Sequence, residues 1–104
     1  MTPEAKVKAR VTKLLKERGA YYAMPVAGGF GNAGVPDILV CYKGRFVGIE
    51  CKAGKGQTTA LQDKHLQDIR NAGGEALVVR EDITNLIELL DRIDSGGVQR
   101  EVTC

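Results

Sequence analysis

Two apolar runs, residues 37–42 and 45–52, are separated by only Lys43-Gly44. A gap this short marks a β-hairpin, whose turn sets the register of the strands it joins. With Tyr42 opposite Arg45, counting back along both strands puts Asp37 directly opposite Glu50. Their Cβ atoms are then about 4.5–5.5 Å apart. Lys52 lies two residues past Glu50 and points to the same face. Leu39, Cys41, Phe46 and Gly48 share that face, and Ile38, Val40, Val47 and Ile49 line the other. Both faces are largely apolar, which predicts that both strands are interior.

Two carboxylates side by side at the end of a buried hairpin repel each other. A cation between them removes the conflict. A hard divalent ion suits oxygen ligands, and Mg²⁺ is commonly held by one or two carboxylates, waters and substrate phosphate. An ammonium at Lys52 then orients or deprotonates an attacking water, or stabilises developing negative charge. The arrangement suits phosphodiester hydrolysis. The plainer reading is a salt bridge from Lys52 to Glu50 or Asp37 at the strand ends.

The rest of the chain supplies a frame for this hairpin. Thr2 can cap a first helix with Pro3 at its first position, and Gly19 ends it. Val7, Val11, Leu14 and Leu15 form its apolar stripe, while Lys6, Lys8, Arg10, Lys13 and Lys16 are assigned to its remaining surface. A short strand is expected at 21–26, a second helix at 59–72 ending at Gly73-Gly74, and a buried strand at 76–80. Asp82 is expected to cap a last helix with Ile83, Leu86, Ile87, Leu90 and Ile93 on one face. The order α-β-β-β-α-β-α predicts an α/β fold, a mixed central sheet flanked by helices. Residues 1–94 read as one domain and 95–104 as a disordered tail.

Bulk properties fit that frame. The 104 residues suffice for one core, and 43% hydrophobic with 27% charged residues is ordinary for a soluble domain. No apolar stretch is long enough to span a membrane, and the basic N-terminus lacks the apolar region of a secretory signal. A cytoplasmic protein is the expectation. Cys41, Cys51 and Cys104 are odd in number and far apart, so buried free thiols are expected. Residues 1–56 hold ten Lys/Arg and four Asp/Glu, and residues 57–104 hold five and nine. That asymmetry is compatible with one basic face and a polyanionic partner.

The run Gly34-Val35-Pro36-Asp37-Ile38 followed by Ile49-Glu50-Cys51-Lys52 resembles the signature of the PD-(D/E)xK nuclease superfamily. Leu61-Gln62, Leu66 and the run from Ala72 to Val79 make the chain similar to one branch, the VRR-NUC family, although its namesake triplet reads Val78-Val79-Arg80. The resemblance spans most of the chain and implies a restriction-endonuclease-like core. It implies that Asp37, Glu50 and the backbone carbonyl of Cys51 ligate Mg²⁺ or Mn²⁺, and that Lys52 is the catalytic lysine. It also implies that Glu4 reaches the metal from the first helix and that Gln62 points at the site from the second. Each of these two has a second reading. Glu4 is a carboxylate favoured at a helix N-terminus, and Gln62 stands at the third position of a capping box begun by Thr59.

Standalone members of that family are small, phage-like and resemble junction resolvases. The resemblance therefore implies a structure-specific endonuclease acting on branched DNA such as a Holliday junction, in the host cytoplasm if phage-encoded. Cutting two symmetric strands needs two sites, which predicts a homodimer. Lys6, Lys13 and Lys55, with Gly31 and Asn32 of the glycine-rich loop, are the candidate DNA contacts. Gly29 to Gly34 matches GxGxxG, but it precedes a strand rather than a helix, so no nucleotide cofactor is expected. His65 reads as a structural or surface histidine, and Tyr21 and Tyr22 as sheet-packing residues. The alternatives to an enzyme are a catalytically inactive DNA-binding module and a subunit of a larger DNA-processing complex.

Overall fold

The computed structural model of the chain describes residues 1–26 and 33–96. Helix α1, Pro3–Glu17, starts where Thr2 Oγ1 accepts the Ala5 N–H at 3.1 Å, and it stops before Gly19, whose φ of +74° suits glycine. Strand β1 is Tyr21–Ala23, half the expected length. Strands β2, Ile38–Tyr42, and β3, Arg45–Cys51, form the hairpin. Lys43 and Gly44 both have positive φ, +48° and +83°, as a two-residue type I′ turn requires. Tyr42 pairs with Arg45 and Ile38 with Ile49, which is the register the turn predicts. Helix α2 is Ala60–Asn71, β4 is Glu75–Val79 and α3 is Thr84–Asp94.

The sheet order is β1-β2-β3-β4, with β4 parallel to β3 and the other pairs antiparallel. Parallel pairing needs a crossover, and α2 provides it. The architecture is the expected α/β one, a mixed four-stranded sheet flanked by helices. The core lies on one face. Val7, Val11 and Leu15 of α1 and Leu86, Leu89, Leu90 and Ile93 of α3 pack there with Ile38, Val40, Tyr42, Val47, Ile49 and Cys51.

The other face differs from expectation. Helix α2 contacts β3 and β4 and covers the turn end of the hairpin only in part. Phe46 is 43% exposed, Tyr21 is 75% exposed and Cys41 is also exposed. One face is therefore interior throughout, while the second is buried at Gly48 and Glu50 but open at Cys41 and Phe46. The apolar pattern misjudges Cys41 as a buried thiol and Tyr21 as a packed ring. Where α2 does cover the sheet it comes very close. A Cβ on Gly48 would stand 2.5 Å from Ile69 Cδ1, and one on Gly74 would stand 3.0 Å from Ile69 Cγ2.

The start of α3 is also shifted. Ile83 occupies the capping position without a side-chain cap bond. Asp82, one residue earlier, still accepts the Thr84 N–H at 2.9 Å, so the predicted carboxylate does its work from one position further out. Among the described residues no helix is long and apolar enough to cross a membrane.

Candidate active site

Asp37 and Glu50 meet at the open end of the hairpin. Asp37 stands just before β2, and its Oδ2 accepts the Cys51 N–H at 2.8 Å. That bond pins the carboxylate to the main chain of β3 beside Glu50. Glu50 is 2% exposed and is the buried charged residue of the sheet. Val78 of β4 flanks it in the parallel ladder. Burial, and then the negative charge of Asp37, pushes the Glu50 carboxyl up to about 7, against the pull of Lys52. Lys52 Nζ lies 3.6 Å from Glu50 Oε2, with only 12% of its side chain exposed. The hairpin register thus delivers Asp37, Glu50 and Lys52 to one place.

The other expected residues are placed as follows. Glu4 lies in the first turn of α1, 43% exposed, with Oε2 4.0 Å from Lys8 Nζ. Lys8 Nζ is in turn 3.6 Å from Asp37 Oδ1, so Glu4 stands one ion pair away from the carboxylates of the sheet. Among the described residues no three carboxylate, imidazole or thiol side chains converge closely enough to hold an ion by themselves. Gln62 completes the capping box: its Oε1 accepts the Thr59 N–H at 2.9 Å, and its N–H donates to Thr59 Oγ1 at 3.1 Å. Lys6, Lys13 and Lys55 are exposed. At about 100° per residue, Lys6 and Lys13 lie roughly 140–160° around α1 from Lys8, on its far flank. Gly31 and Asn32 fall outside the described residues.

Two features escaped the sequence reading. Lys8 was assigned to the general helix surface, yet it reaches Asp37. Its position four residues after Glu4 was the available signal, since such pairs share a helix face. The second is the anchoring of the loop after Lys52. Gly54 N–H donates to Glu81 Oε2 at 2.9 Å, Arg80 Nη1 donates to the Gly54 carbonyl at 3.1 Å, and Arg10 Nη1 donates to the Glu81 carbonyl at 2.9 Å. These bonds hold the segment carrying Lys55 against the β4–α3 connection, and no local pattern announced them.

The donor set suits a small hard cation. Two carboxylates, one of them buried, stand side by side, and oxygen is the only ligand atom both present. Two carboxylates leave room for the waters and phosphate oxygens that Mg²⁺ and Mn²⁺ retain. The Cys51 thiol is buried on the core side, where desolvation pushes it up to about 12.

No protein-family model matches the chain, and no curated protein sequence does. Among solved structures, the fold is similar to that of Hjc, a Holliday junction resolvase from the archaeal hyperthermophile Archaeoglobus fulgidus. The TM-score is 0.57 at 21% sequence identity, and the match covers 73% of this chain and 66% of the resolvase. The match thus spans about two thirds of the resolvase's length. The likeness is one of fold: a mixed sheet flanked by helices.

Proposed function

We propose that this chain is a divalent-metal-dependent endonuclease of the PD-(D/E)xK superfamily, in its VRR-NUC branch, that hydrolyses phosphodiester bonds in branched DNA. The observation that carries the reading is the buried Glu50 beside Asp37, with Lys52 against it just past the end of the central strand β3. The fold shared with an archaeal Holliday junction resolvase supports DNA as substrate and a junction as its form. A cytoplasmic location is part of the same proposal.

Asp37, Glu50 and the Cys51 carbonyl would hold Mg²⁺ or Mn²⁺, with Glu4 completing the acidic set from α1. The bound ion supplies positive charge that polarises the phosphate and makes water more acidic. The chain's own residues do the rest. The Cys51 N–H fixes Asp37 Oδ2 and so orients its other oxygen. Lys52 is held by strand geometry and burial, so its Nζ can donate to an attacking water or to a phosphate oxygen without reorganising. Glu50 must lose its proton to serve as a ligand, which Lys52 favours and Asp37 opposes.

The test is cleavage of four-way-junction, flap, single-stranded and linear duplex DNA with Mg²⁺ or Mn²⁺, comparing the wild type with Lys52→Ala. Metal-dependent cutting that the substitution abolishes is the expected result. Folded wild type that cuts none of them refutes the nuclease and leaves a DNA-binding module. Two active sites are needed for two symmetric strands, so a homodimer is part of the proposal. A monomeric mass by light scattering at the cleavage concentration counts against it.

A further inference from the structure

Asp37 and Glu50 each have their own ammonium. Lys52 serves Glu50 from just past the end of β3, and Lys8 serves Asp37 from α1. Glu4, also paired with Lys8, brings the local set to three carboxyl groups and two ammoniums. A divalent ion adds two more positive charges to a site already close to balance, so one ammonium becomes surplus. The two lysines are not equally free to leave. Lys52 is 12% exposed and follows Glu50 along the strand, whereas Lys8 is 33% exposed on a helix surface. A Lys8 ammonium that leaves Asp37 returns to water at little cost, and its four-carbon stem lets the head move several ångströms.

We infer that Lys8 is a displaceable counter-ion: it neutralises Asp37 while no divalent ion is bound, yields to the ion, and then contacts a phosphate of the DNA. The inference rests on the metal-site reading above. Val7 and Val11, the first of them Lys8's neighbour, are buried against the sheet, so the helix stays in place while the side chain swings. Lys8 thereby links ion binding to DNA binding, because the same charge that opposes the first assists the second.

The experiment titrates Mn²⁺ into wild type, Lys8→Met and Lys8→Arg by calorimetry, without DNA. Methionine keeps the stem and the helix propensity, and arginine keeps the charge. The Met variant is expected to bind Mn²⁺ about fivefold more tightly (about 1 kcal/mol) and the Arg variant as wild type does. Four-way-junction binding is then measured in Ca²⁺ across a salt series. The Met variant is expected to bind more weakly, with a log–log salt slope shallower by about one, and the Arg variant to keep the wild-type slope. Unchanged or weaker Mn²⁺ binding by Lys8→Met overturns the counter-ion role. Tighter Mn²⁺ binding with an unchanged salt slope overturns the transfer to phosphate. Mn²⁺ binding that is absent from wild type, or survives in Asp37→Ala, overturns the metal-site reading itself and this inference with it.

Discussion

Replacing Glu50 by glutamine should stabilise the metal-free protein at alkaline pH while removing its proposed activity. The folded-state carboxyl sits at about 7 against an ordinary 4.5. A shift of that size, roughly 2.5 units, is worth about 3 kcal/mol. The sign follows from linkage. A raised acid binds its proton more tightly when folded, so its stabilising contribution is complete below pH 4.5. That contribution drains away as pH climbs to about 7 and is gone above it. Glutamine does not titrate. Wild type and Glu50→Gln should therefore differ in a pH-dependent way, with the variant gaining about 3 kcal/mol on wild type between pH 4.5 and pH 8. For a domain of about 100 residues that is a relative Tm gain of roughly 12 °C or more. The assay is thermal or urea denaturation followed by circular dichroism in EDTA at half-unit pH steps. Titrating groups remote from Glu50 are common to both proteins and cancel in the difference. A wild-type-to-variant gap that is flat across this window, or moves in favour of wild type as pH rises, would refute the reasoning. Saturating Mn²⁺ should reverse the ranking at pH 8, because it stabilises only the protein that can ligate it.

Leu90 is fully buried between α3 and the sheet, and Leu90→Ala should cost about 3 kcal/mol in urea denaturation, with cleavage per folded molecule unchanged. Gly44 has φ +83° with open space around its Cα, so Gly44→Ala should lose about 1 kcal/mol through backbone strain alone, read as a lower thermal midpoint. A thiol reagent at pH 8 should modify Cys41 in the native protein and reach Cys51 only on unfolding, because burial pushes that thiol up to about 12. Rapid native labelling of Cys51, identified by peptide mapping, would show that its strand opens. Thr59→Ala should lower stability by about 1 kcal/mol, since it removes the Oγ1 acceptor of the α2 capping box.

The part of the site that depends on local geometry was legible in the sequence. A two-residue turn sets register, register sets which residues oppose each other, and alternation sets the face. Hence Asp37, Glu50 and Lys52 could be grouped from spacing alone. Residues reaching the site from elsewhere were harder. Glu4 could be assigned to the correct helix and turn, but its separation from Asp37 by Lys8 depends on how α1 lies across the sheet, and periodicity does not encode that. Gln62 belonged to a visible capping box, and that contact is formed. The exposed half of the α2 face was misread for a related reason. Apolar alternation reports that a strand can be covered, whereas the length and placement of the covering helix decide whether it is. Cys41 looks like a core residue in the chain and is exposed in the fold, and Phe46 stays 43% exposed although it shares a cleft with His65, Asp68 and Ile69 of α2.

The close seat of Ile69 over Gly48 and Gly74 ties three positions into one inherited unit. The atom that a new methyl at 48 would strike is the terminal Cδ1 of Ile69, the one atom that valine lacks. Gly48→Ala alone should therefore force the end of the Ile69 side chain to shift, whereas the same change after Ile69→Val should meet only Pro36 Cγ at 3.3 Å. Among descendants of this sequence, alanine at 48 should appear in lineages that already carry a shorter residue at 69. The spacing between α2 and the sheet would then survive changes that neither residue could make alone.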